Sequence, residues 1–233
     1  MKKLLILWLI TFSSVLFAQN NSTKSVTQLE RECNSKNAVS CGLLALRYDY
    51  GFGVSQDKFK AFELYQKSCD GNNILSCFNL GAMYFDGEGV SQDKLKASEL
   101  YKKACDGNNN NSCYNLGVMY QNGEGIVQDK FKALELYQKA CDGNFSSACF
   151  NLGLMYFKGE NVRLDKFKAF ELYQKSCIGN NENSCNNLGV MYQNGEGVRL
   201  DLSKALSFYG KACDLKSQMG CENYAKLKNT GVK

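Results

Sequence analysis

The chain has 233 residues, with 28 basic and 23 acidic side chains, twelve cysteines, no histidine and no proline. Basic and acidic residues alternate along it, so the formal net charge of +5 gives no basis for nucleic-acid binding. The lack of histidine excludes Ser-His and Cys-His catalytic mechanisms and histidine metal sites. We predict no cofactor and no metal.

Residues 1–18 are predicted to be a signal peptide. Lys2 and Lys3 precede an apolar run from Leu4 to Phe12, and Ala18 leads to a plausible cleavage site before Gln19. The run is too short to span a bilayer, which favours a cleaved signal over an anchor. The mature protein is therefore expected to be secreted or periplasmic, without a membrane span.

A repeat of 36 residues organises the rest of the chain. The cysteines form two series with this period, at positions 33, 69, 105, 141, 177 and 213 and at positions 41, 77, 113, 149, 185 and 221. A period of this length is typical of helical repeat proteins, in which each unit buries its apolar face only by stacking on its neighbours. We predict an all-α, right-handed α/α solenoid.

In chain order, we expect an N-terminal capping helix segment (19–32), five 36-residue repeats (33–212) and a C-terminal capping helix with a tail (213–233). Each repeat should contain two helices. In residues 75–106, Cys77, Leu80 and Tyr84 share one face of the first helix. Gly87 and Gly89 end that helix.

The second helix of this repeat is expected to begin at Asp93, an N-cap residue that recurs as Asp57, Asp129, Asp165 and Asp201. Glu99 and Lys103 are spaced to pair on its exposed side. The side chains predicted to be buried are Leu95, Ala97, Leu100, Tyr101 and Ala104.

The cysteine spacing predicts the disulfide pairing. One cysteine ends a helix and the next begins the following helix after a tight turn, so their Cα atoms can approach to disulfide distance. Structural zinc is the alternative, but its ligands usually lie two to four residues apart and often include histidine. The expected pairs are Cys33–Cys41, Cys69–Cys77, Cys105–Cys113, Cys141–Cys149, Cys177–Cys185 and Cys213–Cys221.

The repeat motif resembles the Sel-one-like repeat, a relative of the tetratricopeptide repeat. The residues that carry the resemblance are Leu80-Gly81, Tyr84, Gly87, Gly89-Val90, Asp93, Lys96-Ala97, Tyr101, Lys103-Ala104 and Gly107. With a signal peptide and a cysteine pair in each unit, the chain is also similar to the Helicobacter cysteine-rich proteins. The resemblance implies an adaptor for protein partners. It also implies an alternative, slow β-lactam binding or hydrolysis, for which that group has been catalogued.

The tetratricopeptide relatives use the first helix of each unit to line a concave groove. The resemblance therefore implies a binding groove in this chain for a protein or peptide, with a β-lactam or cell-wall-like ligand as the alternative. Its repeated asparagines could hold the backbone of an extended peptide, or could only bridge neighbouring helices. The groove residues are Phe78, Asn79, Phe85, Tyr114, Asn115, Gln121, Phe150, Asn151, Phe157, Asn187 and Gln193.

The sequence contains no complete catalytic constellation. A serine β-lactamase needs S-x-x-K together with S-D-N and K-T-G elements. Ser55-Gln56-Asp57-Lys58 and Ser91-Gln92-Asp93-Lys94 match the first element, but no S-D-N occurs in the chain. Because both matches fall at the repeating N-cap aspartate, an ordinary capped turn is the favoured interpretation. The catalytic residues stay unassigned.

Overall fold

A computed structural model describes residues 24–232, so the predicted signal peptide lies outside the described residues. This range contains helices and turns, no strand, and no helix long and apolar enough to cross a membrane. The helices are α1 (Val26–Asn34), α2 (Ala38–Tyr50), α3 (Lys58–Asp70), α4 (Ile74–Asp86), α5 (Lys94–Asp106), α6 (Asn110–Asn122), α7 (Lys130–Asp142), α8 (Ser146–Lys158), α9 (Lys166–Ile178), α10 (Glu182–Asn194), α11 (Leu202–Asp214) and α12 (Gln218–Lys228).

The helices belong to two compact units, one ending at Gly107 and the other beginning at Asn108. In unit 1, α2 packs on α3 and α4 on α5, and α1 packs against α2. In unit 2 the hairpins are α6–α7, α8–α9 and α10–α11, and α12 packs on α11. We call α2, α4, α6, α8 and α10 the first helices of the five hairpins, and their partners the second helices.

Repeated capping residues fix where the helices begin and end. Each second helix starts at an aspartate whose carboxylate accepts a hydrogen bond from a backbone N–H of the first turn, as Asp165 does from Lys168. The first helices end at glycines with left-handed backbone, such as Gly123 with φ 71°. The predicted N-caps and glycine stops are thus confirmed.

A tyrosine of each second helix forms the centre of its hairpin. Tyr137 and Tyr173 are at most 1% exposed, and each ring lies against a glycine of the first helix. A Cβ atom on Gly117 or Gly153 would lie 2.8 Å from the ring of its tyrosine. Glycine at this position of α4, α6, α8 and α10 therefore has a packing reason, because it leaves room for the tyrosine ring. In α2 the equivalent residue is Ala45.

Two expectations for the second helix of residues 94–106 are wrong in detail. Leu95 is 56% exposed because it is the second residue of α5, beyond the area that the neighbouring helices cover. Lys103 donates a hydrogen bond from Nζ to the carbonyl oxygen of Cys69 (2.9 Å). Its ammonium group therefore bonds to the C-terminal end of α3. The expected partner was Glu99.

All twelve cysteines are disulfide-bonded. Five of the predicted pairs have Cα–Cα distances of 4.4–4.9 Å, and each joins a helix end to the start of the next helix. Cys105 and Cys113 are also oxidised. So many disulfides are typical of an oxidising, extracytoplasmic compartment.

Candidate binding site

In unit 2, the predicted groove residues of α6 and α8 converge on the Tyr137 hydroxyl. That hydroxyl donates a hydrogen bond to Oε1 of Gln121 (2.5 Å), and the Tyr114 ring lies 5.8 Å from the Tyr137 ring. Burial raises the pKa of Tyr137, and the neighbouring Asn151 side chain offsets only part of the rise. These four residues form what we call the Tyr137 cluster.

The next hairpin repeats this arrangement with two changed residues, Phe150 in place of Tyr114 and Phe157 in place of Gln121. Around Tyr173, the rings of Phe150 and Phe157 lie 6.0 Å and 6.4 Å away. Burial raises the pKa of Tyr173 to about 12, while the nearby Asn187 side chain acts in the opposite direction. The Tyr173 hydroxyl is nevertheless buried without a hydrogen-bond partner, since phenylalanine occupies the position that glutamine holds in the Tyr137 cluster.

The fifth hairpin restores the glutamine. Tyr209 donates from its hydroxyl to Oε1 of Gln193 at 2.6 Å. Asn223, on α12, continues the asparagine series with the same 36-residue period and donates from Nδ2 to Oδ1 of Asn186 (2.9 Å). Asn223 was not among the predicted groove residues, although its 36-residue spacing from Asn187 was a sufficient signal.

In unit 1, the equivalent position carries a buried charge. Asp49, 8% exposed, accepts hydrogen bonds from the Tyr65 hydroxyl (3.1 Å) and from Nζ of Lys58 (2.5 Å). Lys58 also pairs with Glu88 at 2.9 Å. Burial and the Asp49 charge raise the pKa of Tyr65, whose hydroxyl also lies near Asn79. Asp49 was not among the predicted groove residues, because no other repeat has an aspartate at this position.

The other predicted groove residues of unit 1 have different surroundings. Phe78 is 7% exposed, and its ring lies 6.0 Å from that of Tyr101. Phe78 therefore belongs to the core of the hairpin and presents little surface to the predicted groove. The Phe85 ring is half-buried beneath the Lys94 ammonium, 4.9 Å from its centroid.

The residues of the S-x-x-K matches have structural partners. Ser55 and Ser91 are exposed loop residues, while Asp57 and Asp93 cap α3 and α5. Burial alone would lower the pKa of Lys58, but its hydrogen bonds to Asp49 and Glu88 outweigh that effect and raise it. A lysine held protonated in this way is a poor general base, which favours the capped-turn interpretation.

These hairpins, each with a buried tyrosine in its second helix and joined by disulfides, define a helical repeat protein. Five matches to the Sel1 repeat cover residues 38–73, 74–109, 110–145, 146–181 and 183–217. The chain therefore belongs to the Sel1 repeat family. Comparison with curated proteins gave no match.

Two solved structures show the same fold, and a third is similar to part of this chain. The protective antigen c5321 of uropathogenic Escherichia coli, described as displaying an SLR fold, matches 90% of this chain with 30% identity and a TM-score of 0.87. The chain spans only 45% of that protein. A Sel1 repeat protein of Oxalobacter formigenes matches 84% of this chain and 87% of its own length (27% identity, TM-score 0.73). Cysteine-rich protein B of Helicobacter pylori matches 56% of this chain and 94% of its own length (32% identity, TM-score 0.47).

Proposed function

We propose that this protein is a secreted or periplasmic scaffold that binds an extended peptide segment of a protein partner on the exposed side of its first helices. The observation that carries the proposal is a contrast within those helices. The positions that pack the hairpins are constant, as in Leu116, Leu152 and Leu188, whereas the residue beside the tyrosine hydroxyl changes. In chain order it is Asp49, Phe85, Gln121, Phe157 and Gln193.

Constant packing positions with variable neighbours suit a binding scaffold. Stacking requires the same core in each repeat, whereas recognition of a non-repeating peptide requires different side chains along the surface. The asparagine series adds a common element. A side-chain amide such as that of Asn151 has two donor hydrogens and an acceptor oxygen. After its contact with Tyr137, it therefore still has hydrogen-bonding groups that can bind a peptide backbone.

The remaining sequence predictions fit this proposal. A signal peptide over residues 1–18 would deliver the chain to the oxidising compartment in which disulfides persist. Segments 19–32 and 213–233 would cover the two ends of the repeat array. Such covers prevent the terminal repeats from exposing apolar stacking faces.

A peptide selection tests the proposal. A random peptide library displayed on phage is selected on the full-length oxidised protein, and the affinity of one selected peptide is measured by calorimetry. We expect Asn115→Ala/Asn151→Ala to weaken binding about thirtyfold, since it removes two hydrogen bonds at roughly 1 kcal/mol each.

The matched control is Gln138→Ala/Gln174→Ala, which removes two amides from the second helices α7 and α9. It should bind as the wild type does. Equal affinity of the Asn115→Ala/Asn151→Ala variant and the wild type, with both proteins folded by circular dichroism, would contradict the proposal.

A further inference from the structure

A second surface of the molecule carries exposed apolar side chains in a repeating pattern. In unit 2, Phe131 and Phe167 are the second residues of α7 and α9 and are 65% and 62% exposed. The loops just before the second helices add Val127, Leu164 and Leu200, which are 88%, 54% and 56% exposed. These residues belong to segments 127–132, 162–168 and 198–204, which we call the basic apolar edge.

The basic apolar edge is strongly cationic. Its three segments contain seven basic and three acidic residues, a net charge of +4. The three acidic residues are the N-caps of α7, α9 and α11, and they are already engaged with backbone N–H groups. Lys132 and Lys204 pair with two of these aspartates at 3.6 Å and 3.8 Å, and Lys166 pairs with Glu196 at 3.4 Å. The positive charge left for a ligand is therefore that of the remaining four basic residues, Lys130, Arg163, Lys168 and Arg199.

The lysines of this edge are at unfavourable positions for their own helices. A helix N-terminus carries partial positive charge, and a cation in the first turn costs about 0.3–1 kcal/mol. Yet Lys130, Lys166 and Lys168 occupy first-turn positions, and the first turns of α7, α9 and α11 have no acidic residue. Local helix stability does not account for this choice of residues.

Aromatic contacts hold some of these ammonium groups in place. Nζ of Lys168 lies 4.6 Å from the centroid of the Tyr156 ring, and Nζ of Lys132 lies 5.2 Å from that of Tyr120. A cation–π contact orients a charge without neutralising it. Tyr156, Arg163 and Lys168 also line an open depression of about 670 Å³.

We propose that the basic apolar edge of unit 2 binds the surface of an anionic phospholipid membrane. Cations near an anionic surface attract the headgroups, while protruding phenylalanine and leucine side chains enter the boundary with the acyl chains. A fluid interface accepts single protruding side chains without a complementary shape. An acidic protein would need pockets for them, so this pattern favours lipid. The binding is peripheral and independent of the peptide-binding proposal.

Unit 1 contains the same elements. Phe59 and Leu95 are 63% and 56% exposed, and each lies between two lysines in the sequence. Taken by itself, unit 1 therefore presents an edge of the same kind, with fewer exposed apolar residues in its loops.

Vesicle cosedimentation with the full-length oxidised protein tests the proposal. We expect binding to vesicles of phosphatidylglycerol mixed with phosphatidylcholine, no binding to phosphatidylcholine alone, and loss of binding at high salt. The variant Lys130→Gln/Arg163→Gln/Arg199→Gln should bind about a hundredfold more weakly, at about fivefold per charge. The variant Phe131→Ser/Leu164→Ser/Phe167→Ser should lose about tenfold or more.

Matched controls change the same residue types elsewhere. Ile178→Ser/Met219→Ser removes apolar residues that are 78% and 58% exposed, and Lys67→Gln/Lys216→Gln/Lys226→Gln removes three charges. Both should bind vesicles as the wild type does, and circular dichroism should show every variant folded.

Three results would overturn the proposal. The first is equal binding to anionic and neutral vesicles, or to neither. The second is an equal loss in the control variants. The third is binding to polyglutamate, but not to vesicles, that requires the edge residues, which would identify an acidic protein as the partner.

Discussion

The Tyr137 and Tyr173 clusters have the same construction and differ at the residue facing the tyrosine hydroxyl. In both, the ring lies on a glycine of the first helix and against an aromatic residue of that helix. Gln121 accepts a hydrogen bond from Tyr137, whereas Phe157 leaves the hydroxyl of Tyr173 without a partner. The pair is a natural comparison of one hairpin with and without a buried hydrogen bond.

The comparison separates the contribution of ring packing to stability from the contribution of the hydroxyl's hydrogen bond. A buried hydroxyl without a partner costs about 1–3 kcal/mol, but the burial of a tyrosine ring contributes more than that. The hairpin around Tyr173 therefore forms despite the loss. Packing fixes the fold, and the residue opposite the hydroxyl is free to vary.

Truncating either tyrosine should have the largest effect. We expect Tyr137→Ala and Tyr173→Ala each to lower the free energy of unfolding by about 3–5 kcal/mol, because each removes a buried ring and leaves a cavity. Urea unfolding followed by circular dichroism measures the change. Phe131→Ala, at a 65% exposed position, is the control and should cost less than about 0.5 kcal/mol. If either variant lost less than about 1 kcal/mol of its free energy of unfolding, the ring at that position would not be the packing centre of its hairpin.

Alkaline pH should reveal the second-largest effect. The pKa of Tyr173 is raised to about 12 in the folded protein, against about 10 in the unfolded chain. The stability that Tyr173 contributes is therefore complete below pH 10 and is lost as the pH rises towards 12. The loss is about 2–3 kcal/mol at about 1.36 kcal/mol per pKa unit.

Denaturant titrations across this pH range should show a shallower decline for Tyr173→Phe than for the wild type. Tyr224→Phe provides the control, because the Tyr224 hydroxyl accepts an exposed hydrogen bond from Nζ of Lys228, and this variant should change the decline less. Identical pH dependence of Tyr173→Phe and the wild type would contradict the assignment.

Removing only the hydroxyls should give effects of different sign. Tyr137→Phe loses a hydrogen bond and should destabilise the protein by about 1 kcal/mol. Tyr173→Phe removes an unpartnered group and should be neutral or stabilising by up to about 1 kcal/mol. The urea midpoints of the two variants at neutral pH measure these changes. An equal loss of stability in both would mean that the Tyr173 hydroxyl has a hydrogen-bond partner in solution.

The smallest change in stability is expected when a hydrogen-bond acceptor is introduced beside the Tyr173 hydroxyl. Phe157→Gln gives Tyr173 the acceptor that Tyr137 has, at the expense of a half-buried ring, so the net change in stability should be small. A double-mutant cycle with Tyr173→Phe isolates the new hydrogen bond, for which we expect a coupling of about 0.5–1 kcal/mol. Zero coupling would indicate that the glutamine side chain turns to solvent.

Much of the fold was predictable because its signals are local. The 36-residue period, the capping aspartates and the glycine stops each act within one turn or one helix pair. Exposure of Leu95 was not predictable in the same way, since it depends on where the neighbouring helices end. The sequence likewise placed Gln121 and Phe157 on one face, but their contact with a tyrosine 16 residues later emerges only from helix packing.

The disulfides determine how the chain responds to proteolytic cleavage. A cut between Cys141 and Cys149 falls within a ring closed by their disulfide, so the two fragments stay covalently joined until a reductant is added. A cut in residues 159–165, the turn inside the α8–α9 hairpin, lies outside any such ring, and its fragments are held together only by packing. Of the eleven connections between the described helices, at least five are thus protected against a single cut. None of these five lies inside a hairpin.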